Sequence, residues 1–388
     1  MKLVFCIDTT LNSGGMERVL SQRVNYLIEK FEYDITIITT ENNSIEFKNK
    51  TSFFYFNPKI EIIDLSIKYC DVQWDRSKKN FFINKLKSKK IKKFHLEKLN
   101  KIISNIKPDI LISLGDQNRD ICWKVSYPCK KILEHHFNRE FFLGRLKLNT
   151  FINNLKSKYR ELREKSYLNK YDEFLVLTEE DKKAWGDDRI KVITNPLPFE
   201  SKEVSTCRNK KIISIGRLET AKGFDILIDV WKKVNEKHSD WILEIYGEGS
   251  LRKKLQDKID SLNLIDSLVL KGNKKNIQAK YLEGSIYVMS SRYEGFGMVL
   301  IEAMSCGLPL ISFDCPCGPK DIIKDGENGF LVKFGNIDEM AEKINYLIEN
   351  ENKRIEIGKK SKELSYNYSE EKIMNQWKEL FENLLENK

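Results

Sequence analysis

The chain has 388 residues, 41% of them hydrophobic, and a formal net charge of +10. This length favours two domains, and no apolar run reaches the roughly 18–20 residues of a membrane-spanning helix. The N-terminal MKLVFCIDTT lacks the long apolar region of a signal peptide, so it predicts a buried strand in a cytoplasmic protein. The eight cysteines are scattered apart from Cys315 and Cys317, which predicts reduced thiols and no metal site.

The first half of the chain alternates short apolar runs with helical stretches. The predicted strands are 2–8, 33–40, 59–65, 109–114, 130–136 and 173–178, and the first predicted helix is 16–31. This alternation predicts a parallel sheet with helices on both faces. The proline-containing KVITNPLPF and the polar stretch after it, together residues 191–210, predict a linker.

Most of the positive charge lies in one segment, residues 76–107. This segment contains eleven lysines and Arg76 but only one acidic residue, Glu97. Its net charge is therefore +11, and that of the rest of the chain is −1. Apolar residues are interleaved with these cations, which is typical of a segment that binds an anionic membrane surface. A solvated helix face is the alternative interpretation. No motif predicts nucleic-acid binding.

The second half repeats the alternation and predicts another doubly wound unit. Its predicted strands begin at 211, 241, 268, 285 and 309, and its predicted helices are 224–237, 250–263, 336–365 and 368–385. In such units the ligand edge lies at the carboxyl ends of the strands. A site between the two domains is the expected arrangement.

Two glycine-containing loops and one pair of cations follow predicted strands. Gly14 and Gly15 open a helix after the first strand, an arrangement that favours an anion. The GEG at 247–249 lacks the third glycine of a dinucleotide fingerprint, so no NAD site is predicted. Arg217 and Lys222 flank a turn and could both reach one diphosphate, although two solvated cations are the alternative.

The stretch RYEGFGMVLIEAMSCGLPLI, residues 292–311, carries two glutamates around a predicted helix start. The helix is predicted from Met298 to Cys306, so Glu294 precedes it and Glu302 lies about one turn inside it. Glycines before the helix allow close approach of a ligand to the backbone. Because carboxylates suit sugar hydroxyls and a helix N-terminus suits phosphate, the pattern predicts a nucleotide-sugar.

These motifs resemble those of the retaining glycosyltransferases of family 4, which have the two-Rossmann GT-B fold. The E-x7-E signature is intact from Glu294 to Glu302. Supporting elements are the Gly-Gly-Met-Glu-Arg loop at 14–18, the Gly-Arg-Leu…Lys-Gly element at 216–223, Asn195-Pro196 and the stretch 315–332. The resemblance covers nearly the whole chain. It implies an acceptor domain over 1–196, a donor domain over 197–367 facing it across a cleft, and a helix over 368–388 crossing back to the first domain.

The resemblance also implies roles for individual residues. Glu294 would hold the donor sugar and Glu302 the ribose, while Arg217 and Lys222 would neutralise the leaving diphosphate. An N-domain histidine would lie near the reacting sugar; His135 is favoured, and the adjacent His136 stays open. The remaining donor-binding residues implied are Gly14, Gly15, Gly216, Gly272, Asn273, Gly295, Phe296, Gly297, Met298 and Val299.

The implied activity is transfer of a hexose or N-acetylhexosamine from a UDP-sugar to a glycan or lipid-linked acceptor in bacterial surface polysaccharide synthesis. No D-x-D motif is present, so no metal or other cofactor is expected. The resemblance implies front-face attack with retention. An acceptor at the inner face of the cytoplasmic membrane would explain the cations and apolar residues of segment 76–107, so the hypothesis is a cytoplasmic protein bound peripherally to that face. The alternatives are a GT-B epimerase or hydrolase, and a non-catalytic basic binding protein.

Overall fold

The computed structural model describes residues 1–12, 14–43, 51–67, 69, 81–115, 117–136, 138–139 and 151–386. For the helical residues 81–86 and 151–157 it describes the backbone alone. Ser13, Phe137 and the predicted basic residues 76–80 therefore lie outside the described residues. The side chains of the first apolar residues of the basic segment, at 81–86, lie outside them as well.

The chain forms two compact units. Unit 1 comprises Met1–Leu177, Trp185–Ile193 and Met374–Lys388, and unit 2 comprises Thr178–Ala184 and Thr194–Ile373. The boundaries thus fall at 193/194 and 373/374, a few residues from the positions that the resemblance implies. The short segment Thr178–Ala184 belongs to unit 2, although the chain returns to unit 1 directly after it, at Trp185–Ile193.

Unit 1 contains a seven-stranded parallel sheet in the order β3-β2-β1-β4-β5-β6-β7. Its strands are β1 Lys2–Ile7, β2 Asp34–Thr39, β3 Glu61–Asp64, β4 Ile110–Leu114, β5 Lys130–Glu134, β6 Glu173–Val176 and β7 Lys191–Val192. Its helices are α1 Gly15–Phe31, α2 Phe81–Ile106 and α3 Phe151–Lys165. Helix α4 Glu179–Trp185 follows β6 and belongs to unit 2 except for Trp185. The central strands are apolar and buried, as expected for a parallel sheet covered on both faces.

Unit 2 contains a six-stranded parallel sheet in the order β10-β9-β8-β11-β12-β13. Its strands are β8 Lys211–Ile215, β9 Ile242–Tyr246, β10 Leu268–Gly272, β11 Ile286–Met289, β12 Leu310–Asp314 and β13 Gly329–Lys333. Its helices are α5 Phe224–Asn235, α6 Arg252–Ser261, α7 Ile277–Glu283, α8 Met298–Ser305, α9 Pro319–Ile322, α10 Ile337–Glu349 and α11 Glu351–Ser365. The last helix of the chain, α12 Glu370–Glu386, starts in unit 2 and continues as the C-terminal segment of unit 1.

One sequence prediction needs correction and one is refined by the structure. The predicted linker over 191–210 begins with a strand, because Lys191 and Val192 pair with β6 as β7. The stretch 336–365, predicted to be helical, is helical and forms two helices, α10 and α11, separated at Asn350. Asn350 has φ −118° and ψ 76°, which no α-helix adopts, so the chain changes direction there.

A buried ion pair joins three segments of unit 1. Arg23 of α1 donates from both terminal nitrogens to the two carboxylate oxygens of Glu134 at the end of β5, each at 2.6 Å. Only 1% of either side chain is exposed. The guanidinium also lies 3.9 Å from the ring centroid of Trp377 in α12. The C-terminal helix is therefore tied to the rest of unit 1 through a charged group.

This ion pair predicts how the stability of unit 1 depends on pH. Burial of Glu134 opposes its ionisation, yet Arg23 and His136 hold its pKa well below the usual carboxyl range. A carboxyl group whose pKa is lower in the folded state stabilises the fold at pH above its unfolded pKa of about 4.3. This contribution is lost as the pH falls from there through the folded pKa. Urea unfolding between pH 7 and pH 3 should show the loss, and an Arg23→Ala variant should lack this part of the pH dependence.

The two sheets share one topological feature that positions ligands. In unit 1 the strand order reverses between β1 and β4, and in unit 2 it reverses between β8 and β11. Ligands of open parallel sheets bind outside the carboxyl ends of the strands at such a point. The loops after β8 and β11 are therefore where a site in unit 2 is expected.

Candidate active site

The loops after β8 and β11 bring the predicted lysine and glutamate into contact. Lys222 Nζ lies 2.6 Å from Glu294 Oε1, although the two residues are 72 positions apart in the chain. The side chains are 20% and 10% exposed, so the pair borders solvent. Ser291 donates to the same carboxylate oxygen, also at 2.6 Å. The charge of Glu294 is thus balanced inside the site.

A second ion pair holds these two loops against each other. Arg292 donates two hydrogen bonds, of 2.8 and 2.7 Å, to the carboxylate of Asp225 near the start of α5. It donates another, at 2.8 Å, to the backbone carbonyl of Thr220. Its backbone N–H donates to the carbonyl of Ala221 at 2.7 Å. The loop that carries Lys222 is therefore fixed against the loop after β11 by backbone and side-chain contacts.

Two glycines allow the close backbone approaches on which the site depends. Gly223, at φ +64°, lies so near to Ser290 that an added Cβ would be 2.0 Å from the Ser290 carbonyl oxygen. Gly318, at φ +119°, lies equally close to the carbonyl oxygen of Phe296. A side chain at either position would have to displace backbone, and the positive φ adds further strain.

Glu302 lies on α8, one turn after the helix start, as the sequence predicts. The helix begins at Met298 and ends at Ser305, with Gly297 at φ +91° before it. Glu302 is buried, and its Oε2 accepts a hydrogen bond of 2.9 Å from the hydroxyl of Tyr281 on α7. Because a buried carboxylate is costly without hydrogen-bond partners, this contact helps to keep Glu302 in place.

Other predicted donor-binding residues of unit 2 occupy different environments. Arg217 is exposed, and within the described part of the chain its side chain forms no hydrogen bond or salt bridge. Asn273 is exposed directly after Gly272, the last residue of β10. Gly216 lies against the aliphatic part of Lys222, whose Cγ would be 3.2 Å from an added Cβ. The structure therefore brings Gly216, Lys222 and Glu294 together and leaves Arg217 exposed.

The segment between the two glutamates is only partly available to a ligand. Gly295, Met298 and Val299 are half-buried. The Phe296 side chain is buried and packs on Tyr368, with ring centroids 5.9 Å apart, so it contributes to the core of unit 2. Its predicted role in donor binding can therefore involve only its backbone.

The predicted glycines of unit 1 lie at the start of α1. Gly14 has an extended backbone and precedes Gly15, the first residue of the helix. An added Cβ at Gly14 would lie 2.3 Å from the carboxylate of Glu17, whereas at Gly15 it would meet nothing within 4 Å. Open space at Gly15 is what an anion site at this helix start would require.

His135 is buried and His136 is partly buried, and the two histidines lie in different surroundings. The ring of His135 packs on Phe174, with centroids 4.6 Å apart, and on Trp185 at 5.8 Å. Burial and the positive charge of Arg119 hold the pKa of His135 well below its usual range, so the imidazole is neutral. His136 Nε2 lies 3.1 Å from Oε1 of Glu134, within the buried ion-pair cluster. The choice of His135 as the active-site histidine stays a prediction.

Four residues around the site were not predicted from the sequence. Ser291, Tyr281, Arg292 and Asp225 contact either a predicted residue or the loops that carry it. Ser291 could have been found, because polar residues directly after a strand lie at the ligand edge. No sequence signal marks Tyr281, a single aromatic residue in a short helix.

The chain matches a known family and has full-length relatives. The family described as glycosyl transferases group 1 matches residues 199–364. An uncharacterized glycosyltransferase of Haemophilus influenzae is 30% identical over 97% of this chain and 99% of its own. The amylovoran biosynthesis glycosyltransferase AmsD of Erwinia amylovora is 27% identical over 98% and 99%. A Campylobacter jejuni α-1,4-N-acetyl-D-galactosaminyltransferase, named for a diNAcBac-PP-undecaprenol-linked acceptor, is 26% identical over 98% of each chain.

Solved structures share the fold at lower identity. Sucrose-phosphate synthase from Thermosynechococcus elongatus matches all of both chains with a TM-score of 0.80 and 16% identity. The pneumococcal O-GlcNAc transferase GtfA in complex with UDP and GlcNAc matches 99% of both chains with a TM-score of 0.74 and 16% identity. The predicted fold class, two Rossmann-like parallel-sheet domains of the GT-B type, is thereby confirmed. The family match and the full-length relatives show that the chain belongs to the glycosyl transferases group 1 family and is a glycosyltransferase.

Proposed function

We propose that this glycosyltransferase moves a hexose or N-acetylhexosamine from a UDP-sugar to a glycan or lipid-linked acceptor of a bacterial surface polysaccharide. The proposal includes the family 4 assignment, which rests on the E-x7-E spacing. The observation that carries it is the contact between Lys222 and Glu294 at the strand-order reversal of unit 2. A carboxylate that suits sugar hydroxyls and a cation that suits phosphate meet there.

The charges of the site support a reaction without a metal ion. Departure of a nucleoside diphosphate builds negative charge on the leaving group, and preplaced cations stabilise such charge. Lys222 lies at the site, and Arg217 follows the end of β8 by two residues in the same loop. In the proposed reaction these two cations take the place that a metal holds in other transferases.

Retention of configuration is proposed from the resemblance of the E-x7-E spacing to that of the retaining family 4 enzymes. The carboxylate of Glu294 is held by Lys222 and Ser291, which suits binding of hydroxyls better than attack on the anomeric carbon. Retention without a covalent intermediate on Glu294 then requires the acceptor hydroxyl to attack from the side of the departing diphosphate.

The relatives support the classes of donor and acceptor. The pneumococcal transferase of the same fold is described with UDP and GlcNAc, and the Campylobacter relative is named for an undecaprenol-linked acceptor. The Erwinia relative is named for biosynthesis of amylovoran. For this chain we propose the same classes, a UDP-sugar donor and a glycan or lipid-linked acceptor. We also propose that His135, as a neutral imidazole, offers a hydrogen bond near the reacting sugar.

Thermal unfolding tests the proposal, with a panel of UDP, UDP-glucose, UDP-galactose, UDP-N-acetylglucosamine and UDP-N-acetylgalactosamine. A ligand at about 100 times its Kd adds roughly 2.7 kcal/mol of stability. We expect one UDP-sugar to raise the Tm of the wild type more than UDP does. Glu294→Ala should lose this difference and keep the shift caused by UDP, because the removed carboxylate would contact the sugar and not the nucleotide.

The control for this experiment is Glu327→Ala, which removes an exposed glutamate of the same unit. This variant should respond to every ligand as the wild type does. A wild type whose Tm is unchanged by the whole panel would contradict the proposed donor class for this site. An equal response of Glu294→Ala and the wild type would contradict the role of Glu294.

Helix α2 supports the proposed contact with an anionic membrane surface. No helix in the described ranges is long and apolar enough to span a bilayer. The described part of α2 exposes Lys87, Lys89, Lys90 and Lys93, and the neighbouring Phe94 is 47% exposed. Lys92, in contrast, forms a salt bridge with Asp120 and belongs to the structure of unit 1. Exposed lysines beside an exposed aromatic ring suit an interface of anionic head groups.

Binding to lipid vesicles tests this surface. Replacing Lys87, Lys89, Lys90 and Lys93 by glutamine should weaken binding to phosphatidylglycerol-containing vesicles by about 10²–10³-fold, at about 1 kcal/mol for each lysine. Sedimentation with vesicles measures it. The control variant loses the same amount of charge from unit 2. In it, glutamine replaces four exposed lysines, Lys232, Lys237, Lys253 and Lys254. Equal vesicle binding by the two quadruple variants would contradict the assignment of this surface.

A further inference from the structure

Each of the two site glutamates accepts a hydrogen bond from one buried hydroxyl group. Ser291 Oγ lies 2.6 Å from Oε1 of Glu294, and Tyr281 Oη lies 2.9 Å from Oε2 of Glu302. We propose that Ser291 and Tyr281 are positioning residues for the donor. Ser291 orients the carboxylate that binds the transferred sugar, and Tyr281 orients the carboxylate that binds the ribose. The inference rests on the proposed function.

Ser291 contacts the same carboxylate oxygen as Lys222. The cation and the hydroxyl both lie 2.6 Å from Oε1 of Glu294. A diphosphate that binds in the site competes with Glu294 for Lys222, because both are anions. The serine hydroxyl is neutral, and Ser291 is 1% exposed, so it can stay on the carboxylate while the lysine turns to the phosphate. Ser291 therefore keeps its hydrogen bond to Glu294 after the donor has bound and Lys222 has turned to the diphosphate.

Tyr281 reaches Glu302 from the neighbouring helix α7. Its ring is buried and lies 5.7 Å from the ring of Tyr287 and 6.4 Å from that of Phe199. Burial and the negative charge of Glu302 raise the pKa of the phenol well above its usual value, so the hydroxyl remains a donor. A ring packed between two others has little freedom to move its hydroxyl. The carboxylate of Glu302 is thereby held in one direction.

Two neighbouring hydroxyl groups provide matched controls. Tyr287 is as deeply buried as Tyr281, but its hydroxyl donates to the backbone carbonyl of Ile215 at 3.4 Å. Ser214 is as deeply buried as Ser291, and its hydroxyl donates to the backbone carbonyl of Val288 at 2.7 Å. Deleting either of these hydroxyls removes a buried hydrogen bond of unit 2 without removing a donor from Glu294 or Glu302.

Isothermal titration calorimetry tests the proposal. The two ligands are UDP and the UDP-sugar that raises the wild-type Tm most. Ser291→Ala should lower the affinity for the UDP-sugar by about tenfold and leave that for UDP within about twofold. Tyr281→Phe should lower both affinities by about the same factor, because both ligands contain the ribose. Tyr287→Phe and Ser214→Ala should change neither affinity. Ser291→Thr, which keeps the hydroxyl, should restore the preference for the UDP-sugar.

The outcomes separate the positioning roles from the proposed function. If Ser291→Ala weakens UDP and the UDP-sugar equally, or binds both as the wild type does, the role of Ser291 is overturned. The role of Tyr281 is overturned if Tyr281→Phe binds both ligands as the wild type does. It is also overturned if Tyr281→Phe lowers the affinities by the same factor in the wild-type background and in a Glu302→Gln background. A wild type that binds no nucleotide overturns the proposed function itself, and the positioning roles with it.

Discussion

Replacing Lys222 by alanine is expected to lower kcat by about 10²–10³-fold, the loss seen when one preorganised group that stabilises developing charge is removed. The loop that carries Lys222 is held in place by the contacts of Arg292, so the lysine needs little rearrangement to meet the leaving diphosphate. KM for the donor should change less than kcat, because negative charge on the diphosphate is larger in the transition state than in the bound donor. Steady-state kinetics with the donor found by thermal unfolding measures both.

The control for Lys222 is Lys233→Ala in the same unit. Lys233 forms a salt bridge of 2.7 Å with Asp338 on the surface, so its loss removes one positive charge of unit 2 away from the site. Its kcat should equal that of the wild type. A Lys222→Ala variant that retains more than a third of wild-type kcat would show that the lysine only balances the charge of Glu294, and that the leaving group is stabilised by other residues.

The second large effect concerns stability. Arg23→Ala should lower the free energy of unfolding of unit 1 by about 3–5 kcal/mol, because it leaves the buried Glu134 without its bidentate partner. It also removes the cation from the ring of Trp377, so the C-terminal helix should loosen along with the N-terminal half. Urea unfolding followed by tryptophan fluorescence, to which Trp377 contributes, measures the change.

A partly exposed ion pair in the same unit provides the comparison for Arg23. Lys191 and Glu173 are 2.6 Å apart, but the lysine is about half exposed, so Lys191→Ala should cost only about 0–1 kcal/mol. If the two variants unfold at the same urea concentration, the buried pair contributes no more than a surface pair. Such a result would contradict the view that Arg23 holds the C-terminal helix.

The sequence predicts most strands of this fold because a parallel sheet buries continuous apolar runs. The strands it misses are β7 and β13, at two edges of the sheets. β7 is only two residues long, Lys191–Val192, and stands beside prolines that indicate a linker. β13 begins at Gly329, which approaches Leu310 so closely that an added Cβ would lie 2.2 Å from its carbonyl oxygen. The apolar run after this glycine is only three residues, too short for periodicity to reveal the strand.

The candidate site was predictable in its residue types but not in its contacts. The spacing of Glu294 and Glu302 around a helix start is local, and the structure has the helix where the spacing predicts it. The contact between Lys222 and Glu294 joins two loops far apart in sequence, and it depends on the strand order. The hydroxyl of Tyr281 reaches Glu302 from another helix, a contact that depends on packing and has no local pattern.

The glycines at 223 and 318 limit how this site can be altered. At both positions an added Cβ would fall 2.0 Å from a backbone oxygen of the neighbouring loop, so no other amino acid fits without moving the loop itself. A library of variants made to change the donor sugar should leave these two codons untouched and randomise half-buried positions such as Met298 and Val299. New specificity is then accessible through side chains, while the loop backbones of the proposed donor site stay unchanged.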